Sequence, residues 1–154
     1  MSSDEQNPYT GRRTVPAPDP AALEIERLDD KEAWRLLGTA PYGRLVVVRP
    51  DGAPDIFPMN FALREREILL RSAGGSKLHD ITVNPRVAFE ADGHDADVRW
   101  SVVVHGEAAR ISTDAEIESS RVQALRTASP TEKFSYVVVT PVIVTGRRFD
   151  RREG

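Results

Sequence analysis

The stretch LVVVRPDGAPDIFPMNF, residues 45–61, decides the fold that the sequence predicts. A β-branched run at residues 45–48 is followed by the tight-turn signal Pro50-Asp51-Gly52, and a second strand-like run occupies residues 56–61. Short apolar runs rich in valine and isoleucine, separated by such turn residues, are typical of an antiparallel hairpin. The chain is therefore expected to be built from β-hairpins.

The remaining strands predicted from the same pattern extend this sheet along the chain. They lie at residues 68–71, 86–91, 100–111 and 136–145. Pro141 interrupts the last one and is expected at an edge or a bulge, because proline cannot donate a ladder hydrogen bond. The connections are mostly tight reversals, and residues 92–95 are expected to form a loop. The predicted fold class is mainly β (α+β), a six-stranded antiparallel barrel with short flanking helices.

Three short helices and a tail complete the predicted organisation. The helices lie at residues 29–38, 76–83 and 113–127, the first opened by a capping box of Asp29 and Glu32. Residues 1–27 are rich in proline and polar side chains, so they bury too little apolar surface to offset their ordering entropy. They are expected to form a flexible tail, and residues 28–150 are expected to form the domain.

Composition excludes several classes of function. The chain has 154 residues and no cysteine, which excludes disulfides, zinc–thiolate sites, iron–sulfur clusters and thiol nucleophiles. Its net charge of −3 gives no reason to expect nucleic-acid binding. No apolar run is long enough to span a membrane, and the N-terminus lacks the pattern of a secretion signal. A cytoplasmic location, with neither nucleic acid nor membrane as a partner, is therefore expected.

Common catalytic signatures are also missing from the sequence. The three histidines, His79, His94 and His105, are not spaced as metal ligands, so no metal site is expected. No G-x-S-x-G motif indicates a serine hydrolase. The acidic pairs of the chain have the positions of helix-start and turn residues, which gives no support for a glycosidase. No residue is identified as catalytic.

The stretch LRSAGGSKL, residues 70–78, carries the best chemical signal in the chain. A strand end with Arg71 and Ser72 leads through two glycines into a helix that starts at Ser76 and Lys77. Glycine lets backbone N–H groups approach an anion, and a helix N-terminus carries partial positive charge. The hydroxyl and cationic side chains add donors that suit a phosphate dianion. The spacing alone is equally consistent with a glycine-rich turn capped by Ser76.

Six motifs, taken in order, resemble those of a known family. They are GRL at 43–45, PDIFPMNF at 54–61, LRSAGGSKL at 70–78, NPRVAF at 84–89, WSVVVHG at 100–106 and TGRRF at 145–149. The chain thereby resembles the pyridoxamine 5′-phosphate oxidase-like flavin-binding split β-barrel proteins, and more narrowly their small actinobacterial and nitroimidazole-resistance-type members. The resemblance covers about residues 28–149. It implies a split β-barrel that forms a homodimer, with FMN bound in a groove between the two barrels.

The resemblance also implies three sets of cofactor-binding residues. The strand that borders the isoalloxazine ring would contribute Phe57, Pro58, Met59 and Asn60. The strand end and helix start that bind the phosphate would contribute Arg71, Ser72, Ser76 and Lys77. Trp100 and Ser101 would contact the flavin from the other subunit. Arg147 would lie in the C-terminal active-site region.

The activity that the resemblance implies is two-electron redox chemistry on a small molecule of unknown identity. The C-terminal stretch Gly146-Arg147-Arg148 lacks the Arg-x-His pattern of the vitamin-forming oxidase, so formation of pyridoxal phosphate is not expected. Relatives of the same fold bind a deazaflavin coenzyme or haem, and a deazaflavin's acidic tail would favour a basic strip, here Arg64, Arg66 and Arg71. A non-catalytic flavin- or haem-binding module is a further alternative, since the same residues would hold the cofactor.

Overall fold

A computed structural model describes residues 25–72, 76–111 and 135–150. These residues form eight strands and two helices. In chain order the elements are β1 (Ile25–Leu28), α1 (Asp30–Leu37), β2 (Gly43–Val48), β3 (Pro54–Met59), β4 (Phe61–Arg64), β5 (Glu67–Ser72), α2 (Ser76–Val83), β6 (Arg86–His94), β7 (Val98–Ile111) and β8 (Ser135–Asp150).

The strands form one antiparallel sheet in the order β3-β2-β6-β7-β8-β5-β4. The long strand β8 pairs with β7 on one side, while β5 and β1 pair with the two ends of its other side. The sheet curls so that β3 lies against β5. The mainly β, split-barrel fold class is therefore confirmed, although the described residues contain eight strands where the sequence predicts six.

The core fills the interior of this curled sheet. Alternate residues of the central strands point inward, as the pleat requires, and most of the largest fully buried side chains in this interior come from five strands. They are Leu45, Val47, Ile68, Leu70, Phe89, Val102, Val104, Val137 and Val139. Because a single apolar cluster joins these residues to α1, the barrel and this helix form one packing unit.

The two helices are short and lie where the sequence predicts them. Asp29 caps α1 by accepting a hydrogen bond from the backbone N–H of Glu32 at 2.8 Å, and the buried residues Ala33, Leu36 and Leu37 face the sheet. The helix α2 contacts β2 and β7. Neither helix in the described part of the chain is long and apolar enough to cross a membrane.

The hairpin of β2 and β3 has the predicted turn. The backbone N–H of Arg49 donates to the carbonyl of Ala53 at 2.8 Å, and Gly52 has a φ of 84°, which favours glycine. Pro141 lies at a bulge, as expected, because the pairing of β7 with β8 shifts between His105 and Gly106. Pro141 thus interrupts the ladder without ending the strand.

Three local predictions are wrong. Residues 25–27, predicted as tail, form most of β1 and pair with β8. The predicted strand at 56–61 is divided at Asn60 into β3 and β4. The predicted loop at 92–95 is mostly strand, because Asp92–His94 pair with Arg99–Ser101 of β7. The predicted helix at 113–127, and the rest of the predicted tail, lie outside the described residues.

Candidate functional site

The end of β5 presents a buried hydroxyl that nothing in the described part of the chain satisfies. Ser72 is only 3 % exposed, and its Oγ has no hydrogen-bond partner among the described residues. Arg71, next to it, is half-buried. An unsatisfied buried hydroxyl costs about 1–3 kcal/mol, so such a group is usually completed by a water or a ligand. The strand end is therefore suited to bind a ligand oxygen.

A lysine on the first turn of α2, the helix that follows this strand in the chain, supplies a cation. The Lys77 Nζ lies 4.7 Å from the centroid of the Phe57 ring, within cation–π distance. Partial burial lowers the pKa of Lys77 below its usual range because the charged ammonium loses hydration. Within residues 25–72, 76–111 and 135–150 no carboxylate pairs with it. A half-buried cation that has no carboxylate partner among the described residues favours an anion as ligand.

The contact between Lys77 and Phe57 joins two of the three predicted sets of site residues. Phe57 packs partly against the core, and Met59, only 7 % exposed, belongs to it. Pro58 is exposed on the opposite face of β3, and Asn60 lies half-buried at the break between β3 and β4. Phe57 is therefore the residue of this strand for which the structure shows a contact with Lys77, a member of the predicted phosphate-binding set.

Part of the predicted phosphate stretch cannot be placed. Ser76 begins α2, but its side chain lies outside the described residues, as do Gly74 and Gly75. The donors that the structure describes at this position are those of Arg71, Ser72 and Lys77.

The third predicted set lies on β7 and β8, and β2 and β6 separate it from β3. Ser101 pairs directly with Arg147. Trp100 is buried to 8 % exposure, and its indole lies against Gly93, where an added Cβ would be 2.6 Å from the ring. Within one chain the structure thus forms two groups of predicted site residues rather than one.

A cleft of about 630 Å³ opens at Trp100 and Ser101. Its other walls include Tyr42, Arg99 and Phe149, none of which the sequence predicts to be a site residue. Arg99 and Phe149 face each other across β7 and β8, whereas Tyr42 precedes β2. Only the register of the strands brings these residues together, so no local sequence signal could have identified them.

The basic strip that a deazaflavin tail would favour is largely neutralised. Arg64 forms an ion pair with Glu67 at 3.2 Å, and Arg66 forms one with Asp30. Both guanidinium groups therefore have carboxylate partners, and the third member of the proposed strip, Arg71, is next to Ser72 at the end of β5.

No cluster of three side chains able to ligate a metal is present in the described segments. The three histidines lie on α2, β6 and β7 and are exposed.

Comparison with known proteins identifies the family of this chain. A family model described as pyridoxamine 5′-phosphate oxidase matches residues 29–148. The uncharacterized protein Rv0080 of Mycobacterium tuberculosis is 34 % identical over 137 residues, covering 83 % of this chain and 88 % of the relative.

Solved structures with similar sequences have the same fold as this chain. A candidate pyridoxamine 5′-phosphate oxidase from Corynebacterium glutamicum superposes with a TM-score of 0.76 at 37 % identity, covering 83 % of this chain and all of that one. The FAD-binding protein of Mycobacterium smegmatis superposes with a TM-score of 0.66 at 35 % identity, covering 81 % of this chain and 98 % of that one. From the family match, the fold and these relatives, the chain belongs to the pyridoxamine 5′-phosphate oxidase family.

Proposed function

We propose that this protein is an FMN-binding flavoprotein, an oxidoreductase that carries out two-electron chemistry on a small molecule, with the cofactor at a homodimer interface. The observation that carries the proposal is the contact of Lys77 with the flat apolar ring of Phe57, together with the buried Ser72 hydroxyl at the end of the strand before α2; among the described residues the lysine has no ion pair and the hydroxyl has no hydrogen-bond partner. A flavin nucleotide combines an anionic phosphate with a planar ring, so its chemistry matches this set of donors. The name of the Mycobacterium smegmatis relative, an FAD-binding protein, supports a flavin.

The chain's own residues would bind and orient the cofactor. Lys77 and Ser72, with Arg71 and Ser76, would hold the phosphate, and the Phe57–Asn60 strand would border the ring. The partly buried ammonium attracts an anion more strongly than an exposed one, since less water screens the pair. When bound, the flavin supplies the electron transfer, while the protein contributes binding, orientation and electrostatics.

A row of apolar side chains on the outer face of the barrel supports the homodimer. Ile56, Val46 and Ala88 lie side by side on β3, β2 and β6. Ile56 is 59 % exposed, and Ile143 continues the row beyond His105 on β7. Exposed apolar patches of this kind mark interaction surfaces. The predicted site residues of one chain form two separate groups. A second copy on this face would explain that separation, because each site would combine one group from each chain.

We expect Ile56→Glu to convert the dimer into a monomer. A carboxylate at this position would have to lose its hydration inside an apolar interface, which is costly without a partner. Light scattering coupled to size-exclusion chromatography measures the mass directly. The control is Val142→Glu, since Val142 is 73 % exposed but lies at the β8 bulge, outside the row. A monomeric wild type, or a variant at position 56 that remains dimeric, would contradict this interface.

The absorption spectrum of the protein as isolated tests the cofactor assignment. We expect the two visible bands of an oxidised flavin, and FMN when the released cofactor is identified by chromatography. Release of FAD would show that the bound nucleotide is FAD rather than FMN, and the protein would still be a flavoprotein. A single deazaflavin band or a haem Soret peak would overturn the assignment in favour of the alternative cofactors.

Rapid-mixing reduction by NADH or NADPH then separates an enzyme from a binding module. We expect the bound flavin to be reduced and to be reoxidised by a suitable acceptor. A bound flavin that no donor reduces would indicate a non-catalytic module.

A further inference from the structure

A histidine lies within the row of apolar side chains on the outer face of the barrel. Ala88 of β6 pairs with His105 of β7, and His105 pairs in turn with Ile143 of β8. Alternation along β7 places His105 on the outer face, because Val104 and Gly106 on either side of it are buried. A second copy that covers both Ala88 and Ile143 therefore also covers His105.

The imidazole of His105 has no carboxylate partner to bring into that interface. It is exposed within one chain, and in the described part of the chain no carboxylate forms an ion pair with it. On β8 its neighbours on this face are Ile143 and Thr145, which do not titrate. The apolar residues of α1 and α2 belong to the interior cluster, so both helices pack against the opposite face of the sheet.

The charged groups that flank the imidazole on this face lie beside groups of opposite sign. On β7, two residues beyond the histidine, Glu107 lies directly opposite Arg86 of β6. Further along β6, Glu90 and Asp92 both bind Arg44, at 3.0 and 2.9 Å. Each of these carboxylates therefore has an arginine beside it, and a protonated imidazole would gain little compensation from them.

We infer that His105 makes the association of two copies sensitive to pH, because the neutral imidazole fits the apolar interface and the protonated form opposes it. The inference rests on the proposed function, since it requires the homodimer with this row at its interface. Moving a charged group out of water costs free energy unless a counter-ion compensates it, whereas a neutral imidazole loses much less hydration. Histidine side chains ordinarily have a pKa of about 6.5, so this change of charge occurs close to neutral pH.

The direction and size of the effect follow from proton linkage. A twofold interface contains the same residue from both chains, so two copies of His105 enter it. Below about pH 6.5 each chain must release a proton before it associates, and the dissociation constant of the dimer therefore rises as the pH falls. For two histidines kept neutral in the dimer, lowering the pH from about 7.5 to about 5.5 raises this constant by about 100-fold at the limit. Above about pH 7.5 it should stay constant, since the histidines are then neutral in both states.

Sedimentation velocity over a concentration series measures the dissociation constant of the purified protein at these two pH values. We expect the constant of the wild type to rise by at least about tenfold on acidification. The constant of the variant His105→Gln should change by less than about twofold, because glutamine carries no titrating charge. The rate of subunit exchange with an isotopically labelled copy, followed by native mass spectrometry, gives the same comparison for a dimer too tight to dissociate on dilution.

The matched control is the double variant H79Q/H94Q, which leaves His105 as the only one of the chain's three histidines. Both replaced residues are exposed and lie outside the row, on α2 and at the end of β6. This variant should keep the pH dependence of the wild type, and its loss would assign the effect to another histidine and overturn the inference.

Two further results separate the inference from the proposed function. A wild-type dimer that dissociates equally at both pH values, or an equal rise in the His105→Gln variant, would overturn the role of His105 and leave the homodimer in place. A wild type that is monomeric at the higher pH would contradict the homodimer, and the role of His105 with it. The flavin content of the same samples, measured by absorbance, identifies any dissociation that follows loss of cofactor, because such dissociation would occur in His105→Gln as well.

Discussion

We expect the replacement of Lys77 with alanine to lower the affinity for FMN by about 10- to 100-fold and to leave the barrel folded. A hydrogen bond to a charged group contributes about 1.5–3 kcal/mol, which corresponds to this range of affinity. Lys77 contacts the Phe57 ring but has no ion pair within the described residues, so its removal breaks no salt bridge there. Quenching of FMN fluorescence during titration measures the affinity, and far-UV circular dichroism verifies the fold.

The matched control for this change is Lys31→Ala, on the exposed face of α1. It should leave the affinity for FMN unaltered.

Burial lowers the pKa of Lys77, so this side chain should lose its proton at a lower pH than an ordinary lysine does. Raising the pH from about 7 to about 10 should therefore weaken FMN binding. The alanine variant should not show that alkaline loss. An unchanged affinity for FMN after the Lys77 substitution would remove the phosphate assignment.

Phe89→Ala lowers the free energy of unfolding by about 3–5 kcal/mol, the cost of truncating a fully buried phenylalanine. The Phe89 side chain has no exposed surface, and its ring meets that of Phe61 edge to face with 4.9 Å between centroids. A Cβ added at Gly43 would collide with the Phe89 ring, so the space around this ring is closely filled. The large cavity left by alanine would therefore collapse only in part.

Urea denaturation followed by circular dichroism measures this loss. The comparison variant is Phe57→Ala, since the Phe57 ring is only half-buried and should cost less. Should Phe89→Ala lower the unfolding free energy by less than about 1 kcal/mol, Phe89 could not occupy the centre of the barrel.

The features that the sequence predicts correctly are set by neighbouring residues. The turn at Gly52 and the cap at Asp29 depend on local backbone preferences, and both occur as predicted. The helix at 76–83 likewise ends before Asn84-Pro85, because proline disfavours helix at the residue before it. Ser72 and Lys77 have no hydrogen-bond or ion-pair partner among the described residues, a consequence of packing that the spacing of the phosphate stretch does not predict.

The features that the sequence does not predict depend on pairing between distant segments. Strand β1 is four residues long and mostly exposed, and it exists because it pairs with β8 more than 100 residues later. The pairing of Arg27 with Arg147 follows from that register. Asn60 divides a run of strand-forming residues, because the chain there leaves β2 as its partner and joins β5 instead. Periodicity along one segment carries no information about such changes of partner.

The binding of FMN and of riboflavin to the wild-type protein, compared by calorimetry, isolates what the terminal phosphate contributes. Tight binding of FMN and at least tenfold weaker binding of riboflavin is the expected outcome, since riboflavin has the ring and ribityl chain but offers no anion to Ser72 and Lys77. Equal affinities for the two molecules would mean that the junction of β5 and α2 holds no phosphate.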